Sequence, residues 1–156
     1  MAEHPFGTEV TDADIIDALG FLDGWEDRYR YIIDLGRQVP PMPDGDKREE
    51  LIVRGCQSQV WLDASRDAEN RLHFRIDSDA HIVRGLIALV LAAFEGKRSD
   101  EVLAYDIDAY FGGLDLLSHL SPTRGNGLRA MVNRIRDIAR STQGEDSVRG
   151  RASPGH

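Results

Sequence analysis

The chain has 156 residues, 41% of them apolar and 29% charged, and a formal net charge of −8. That length suits one domain able to bury a core of its own, and the acidic balance argues against the basic face on which nucleic-acid binders rely. A single cysteine, Cys56, excludes an internal disulfide, a CxxC pair, and a multi-thiolate zinc or iron–sulfur site built by one chain.

Residues 1–10, MAEHPFGTEV, have neither the basic start nor the apolar stretch of a signal peptide and read as a flexible arm. Thr11 is placed to cap a helix carrying Ile15, Ile16, Leu19 and Leu22 on one side. Asp23 and Glu26 have the spacing of a capping pair for a second helix with Trp25, Tyr29, Ile32 and Ile33. That helix ends before VPPMPDGD, a surface turn. The apolar period then changes to that of strands: Leu51–Arg54, Gln59–Ala64 and Leu72–Asp77, the last two joined as a hairpin. With no helix between them, these three form an antiparallel meander.

Ser78 or Asp79 caps AHIVRGLIALVLAAFEG, apolar on most faces and therefore the central buried helix, and Gly96 stops it. Its apolar run is broken by Arg84 and is too short to span a bilayer, so no membrane segment is expected and a cytoplasmic location follows by elimination. Ser99 starts a short helix through Tyr105, and DIDAYFGGLDLLSHL follows as helical turns interrupted by Gly112–Gly113. The last helix runs roughly over Asn126–Arg140, with Leu128, Met131, Val132, Ile135, Ile138 and Ala139 as its apolar stripe. Residues 142–156 have no apolar periodicity and read as a disordered tail. The sum is one α+β domain over residues 11–141: a small three-stranded antiparallel sheet packed against several helices, monomeric because its apolar faces are used in one core.

Cys56 lies in a polar loop, RGCQSQVWL, between two expected strands. Gly55 allows a sharp turn, and Gln57 and Ser58 are too polar for a core, so the thiol stands at a loop tip where a partner can meet it. The competing reading is a small buried hydrophobe, the commonest fate of a free cysteine. Reactivity requires access or a depressed pKa, and Arg54 is the only cation beside Cys56 in sequence. No Gly-rich phosphate loop or metal-spaced histidine cluster appears.

GCQSQVW (Gly55–Trp61) resembles the signature of the SufE family, the sulfur-acceptor proteins of iron–sulfur cluster assembly. WEDRYRYIIDLG (Trp25–Gly36), DSDAHIVRGLIALV (Asp77–Val90) and HLSPTRGNGLRAMVNRIR (His119–Arg136) resemble further family segments, in the same order, and the likeness covers about Asp14 to Ser141. The resemblance implies a SufE/IscU-like fold. It implies that Cys56 takes persulfide sulfur from a pyridoxal-phosphate-dependent cysteine desulfurase, SufS- or CsdA-like, and stimulates that enzyme. The sulfur then passes to an iron–sulfur scaffold, SufBCD-like. The chain would be a carrier rather than an enzyme, with no cofactor beyond the transient persulfide. Arg54, Gly55, Gln57, Ser58 and Gln59 then form the loop and partner-docking rim, with Arg124 of SPTR nearby. From another class, a Cys/His hydrolase would pair Cys56 with His81 or His119, although no hydrolase signature surrounds the cysteine.

Overall fold

The computed structural model describes residues 4–56 and 58–152, with 144–152 described by their backbone alone. Helix α3 (His81–Phe94) is its axis. Val83 and every residue from Gly85 to Phe94 are buried, as expected of a helix apolar on most sides. Helix α1 (Asp12–Gly20) opens with a reciprocal cap: Asp14 N donates to Thr11 Oγ1 at 3.2 Å and Thr11 N to the Asp14 carboxylate at 3.0 Å. Helix α2 (Trp25–Gly36) begins after Gly24 with no side-chain cap, so Asp23 and Glu26 are not a capping pair. It lies directly against α3. A Cβ added to Gly85 would stand 2.6 Å from the Ile32 carbonyl oxygen, and one on Gly36 would stand 2.6 Å from Gly85 N. The two helices therefore touch backbone to backbone.

Strands β1 (Val60–Arg66) and β2 (Leu72–Ser78) pair antiparallel, with Val60 opposite Ser78, Leu62 opposite Ile76 and Ala64 opposite Phe74. Their alternation holds: Val60, Leu62, Leu72, Phe74 and Ile76 are all buried on the face toward α3. Among the described residues the sheet has two strands, not three. Leu51–Arg54 forms instead a 3-10 turn at Glu49–Leu51, one bridge between Ile52 and Trp61, and one bond from Val53 N to Val60 O at 2.8 Å. Two causes end the pairing there. Gly55, at φ +96°, turns the chain away, and Leu51 and Ile52 bury themselves with Met42 and Trp61 as a small second core on the sheet's outer face.

The start of the chain also differs from expectation. Phe6 is fully buried in the main core, and Gly7 N donates to Val10 O at 2.8 Å, so residues 4–10 form a turn held to the body. Burying one phenylalanine gains about 1.5–3 kcal/mol, enough to hold a short turn in place. Helices α4 (Ser99–Ala104) and α5 (Ile107–Leu114) follow, and Gly112–Gly113 lie within the last turns of α5 without breaking it. Helix α6 (Pro122–Ala152) starts earlier than its apolar stripe, because proline suits a first helical turn and Ser121 Oγ accepts Arg124 N at 3.3 Å. It runs past Ser141 to Ala152, where no apolar period calls for regular structure; residues 153–156 of the expected tail lie outside the described residues. No helix among the described residues is long and apolar enough to cross a membrane.

At the far end of α3, buried Glu95 ties the hairpin down. Its carboxylate accepts Phe74 N at 2.7 Å and faces His73 Nδ1 at 2.6 Å, while His73 Nε2 reaches Asp67 at 2.8 Å. The Asp67 hydrogen bond above all raises the His73 pKa, and Asp67 is held down at about 2. A raised histidine pKa stabilises the fold below the unfolded value, about pH 6.5, and that contribution is lost as pH rises through the folded value. Melting temperature is thus expected to fall through this route as pH rises above about 6.5, and His73→Gln to flatten that part of the profile. His4, lowered chiefly by burial, acts in the opposite sense in both proteins. A melting-temperature difference between them that does not vary with pH would count against this assignment.

Candidate functional site

The site is assembled from three elements brought together on one side of α3. The loop after Val53 carries Cys56, α3 contributes Val83 and Leu86, and the first turns of α6 contribute Thr123, Arg124, Leu128 and Met131. With Ser58 and Val60 they line a cavity of about 50 Å³ beside the thiol. This exceeds the roughly 10–15 Å³ needed to admit one water-sized group. Gly127 has no side chain to stand between α6 and the loop, and the Cys56 Sγ–H points at its carbonyl oxygen at 3.5 Å.

Cys56 is neither fully buried nor at an open loop tip; it is half-buried. Burial pushes its pKa up. In the resting protein at neutral pH the sulfur is therefore a protonated thiol aimed at a carbonyl acceptor. Arg54, beside it in sequence, is exposed and does not offset the burial. Alkylation of Cys56 by iodoacetamide at pH 7 is expected to run at least tenfold slower than for the same chain in denaturant, and still to be rising with pH where an ordinary thiol, of pKa about 8.5, has levelled off. Equal folded and unfolded rates would refute the sheltering.

The other residues singled out in the sequence separate clearly. Arg124 is brought to the Cys56 cavity from far along the chain, and Ser58 forms part of its wall. Gly55 supplies the left-handed turn just before the thiol. Arg54 and Gln59 are exposed on either side of the loop, and Gln57 lies outside the described residues. His81 is exposed at the first position of α3. His119 is occupied elsewhere, stacked on Trp25 with ring centroids 3.9 Å apart. Neither histidine lines the cavity or hydrogen-bonds Cys56, so the constellation a Cys/His hydrolase needs is not assembled. Sequence reasoning missed Val83, Leu86, Thr123 and Gly127. The apolar stripe of α6 held a partial signal, since Leu128 and Met131 belong to it, but nothing local to Gly127 marks it as the partner of a cysteine. Among the described residues, no group of three His, Cys, Asp or Glu side chains is gathered in a way that could hold a metal ion.

Fold and site together define a one-cysteine α+β protein whose thiol is presented from a loop over an apolar cavity. The family model for SufE, described as an Fe-S metabolism associated domain, matches residues 13–139, and the chain belongs to that family. A SufE-like protein of Rhizobium meliloti is 53% identical over 128 residues, covering 80% of this chain and 91% of its own length. The sulfur acceptor protein CsdE of Escherichia coli is 41% identical over 135 residues, covering 86% of this chain and 92% of its own. The solution structure of a hypothetical protein from Thermus thermophilus shares the fold, with a TM-score of 0.70 at 21% identity over 86% of this chain and 97% of that one.

Proposed function

We propose that the protein is a sulfur acceptor in iron–sulfur metabolism and that the Cys56 sulfur is the accepting atom. The observation that carries this reading is the half-buried thiol beside a cavity with room for one further sulfur atom. The naming of the Escherichia coli relative as a sulfur acceptor supports it. The donor is a cysteine desulfurase, whose pyridoxal phosphate breaks the carbon–sulfur bond of free cysteine and leaves a persulfide on the enzyme. The Cys56 thiolate attacks the outer sulfur of that persulfide. A new S–S bond forms on Cys56, the old one breaks, and its electron pair leaves as the donor's thiolate. No net oxidant or reductant is consumed. With no second cysteine in the chain, the persulfide cannot be resolved internally as a disulfide, and it is handed on to an iron–sulfur scaffold.

The resting thiol is protonated and turned inward, so the attack requires the loop to leave its place against Gly127. Docking on the exposed rim of Arg54 and Gln59, with Arg124 opposite, is what draws it out. The chain is then a covalent carrier and partner of an enzyme rather than an enzyme itself. Incubation with a cysteine desulfurase and free cysteine is expected to add the mass of one sulfur to the intact chain, mapped to the peptide containing Cys56 and removed by a thiol reductant. Prior alkylation in denaturant, followed by refolding, should block the gain. A folded chain that gains no sulfur from several desulfurases would end this reading.

A further inference from the structure

The turn that leads into the α6 wall of the sulfur site is held against α2. His119 closes the 3-10 turn Leu117–His119, just before α6 begins. Its ring lies flat on Trp25, the first residue of α2, at 3.9 Å between centroids and 18° between planes. The Tyr29 hydroxyl, one turn further along α2, donates to the His119 carbonyl. The ring is also held from its own side. His119 Nδ1 lies 3.0 Å from the Asp115 carbonyl oxygen. Ser118 Oγ stands 3.1 Å from the same nitrogen. The Arg28 guanidinium is 5.4 Å from the Trp25 ring centroid.

From His119 the chain leads within a few residues to the wall of the thiol's cavity. Leu120 is buried, Ser121 caps α6, and the first helical turns carry Thr123, Arg124 and the Gly127 carbonyl to Cys56. This short segment is the covalent link between the stacked ring and the carbonyl that the thiol faces. At its end the Cys56 Sγ–H meets the Gly127 carbonyl at 3.5 Å, an ordinary separation for a sulfur donor.

We propose that Trp25 and His119 are positioning residues for Cys56: their stacked rings set how closely the start of α6 stands against the cysteine loop, and so how well the thiol is closed off from water. This deepens the sulfur-acceptor reading and rests on it for its purpose, which is to keep a carried persulfide from reductants. It assigns a role to the histidine that the sequence offered as a catalytic base, and the role is mechanical.

The test is the rate of Cys56 alkylation by iodoacetamide in native protein, which needs no desulfurase. His119→Leu, which removes the ring, is expected to raise the rate about tenfold. His119→Phe keeps a flat ring on Trp25 and is expected to stay near wild type. Phe6→Leu, in a buried part of the fold away from this contact, serves as a destabilised control with an unchanged rate. The proposal is overturned if His119→Leu reacts like wild type, if His119→Phe reacts as fast as His119→Leu, or if Phe6→Leu shows the same acceleration. A wild-type chain that takes no sulfur would sink the carrier reading instead, with the clamp still judged by alkylation alone.

Discussion

The Cys56→Ser protein is expected to take up no sulfur and to give a desulfurase no stimulation, while folding as the wild type does. The two halves of this expectation have separate causes. Attack on the outer sulfur of a persulfide needs a polarisable thiolate whose product is another stable persulfide; a serine hydroxyl is not ionised at neutral pH and forms no such product. The fold, by contrast, asks little of the sulfur. The side chain is half-buried, and its one polar contact among the described residues is a donation to the Gly127 carbonyl, which a hydroxyl can also make. The stability change should stay within about 1 kcal/mol, the scale of a single hydrogen bond. Intact mass and desulfurase turnover, read beside a thermal melt, decide the matter. A Cys56→Ser protein that still stimulates turnover fully would show that docking, not sulfur acceptance, does the work.

The largest effect on the fold is expected at Gly85. Helix propensity alone says that Gly85→Ala should stabilise α3 by about 1 kcal/mol. Packing says the reverse. The new Cβ would sit 2.6 Å from the Ile32 carbonyl oxygen and 2.7 Å from its Cγ2, so a backbone atom of α2 must move. Forcing extra volume into a close-packed contact costs roughly 1–3 kcal/mol, and a backbone obstacle places this case at the upper end. The net loss is about 2 kcal/mol, or about 5 °C in melting temperature for a chain of this size. Gly36→Ala meets Gly85 N at 2.6 Å and should behave alike. Gly112→Ala is the counterpart: it is helical and exposed with nothing within 4 Å of the added Cβ, and should be neutral or stabilising. If Gly85→Ala raises the melting temperature as Gly112→Ala does, the close crossing of α2 and α3 is wrong.

Patterns that repeat within one element were readable from sequence. The Thr11 cap, the inner faces of both hairpin strands and the buried length of α3 follow from spacing alone, because apolar residues recurring at one period match one kind of element. What stayed hidden depends on partners distant in the chain. Leu51–Arg54 looks like a strand until Gly55 turns it away and Trp61 and Met42 offer Leu51 and Ile52 a better burial. Phe6, one aromatic in a polar arm, has no period to declare it core. At the site, Cys56 was visible as an anomaly of composition and by resemblance. That it would rest against Gly127, beside a cavity that Arg124 also lines, could not be deduced from any local rule. Nor could the stack of His119 on Trp25, which turned an apparent catalytic histidine into a structural contact.

A sheet of two strands is nearly all edge, and open edges invite a neighbour's strand. Here part of each edge is already taken. On the β2 side, Leu72 N donates to Lys97 O and Gly96 N to Leu72 O, each at 2.8 Å, and Phe74 N is taken by the Glu95 carboxylate. On the β1 side, Val60 O is met by Val53 N. The segment Pro40–Pro43, with three prolines that lack an N–H, borders the remainder of β2 across a cavity. The same single bridge at Ile52 that is too short to count as a strand therefore acts as a stopper, and a hairpin that would template edge-to-edge stacking offers a neighbour only an interrupted row of donors.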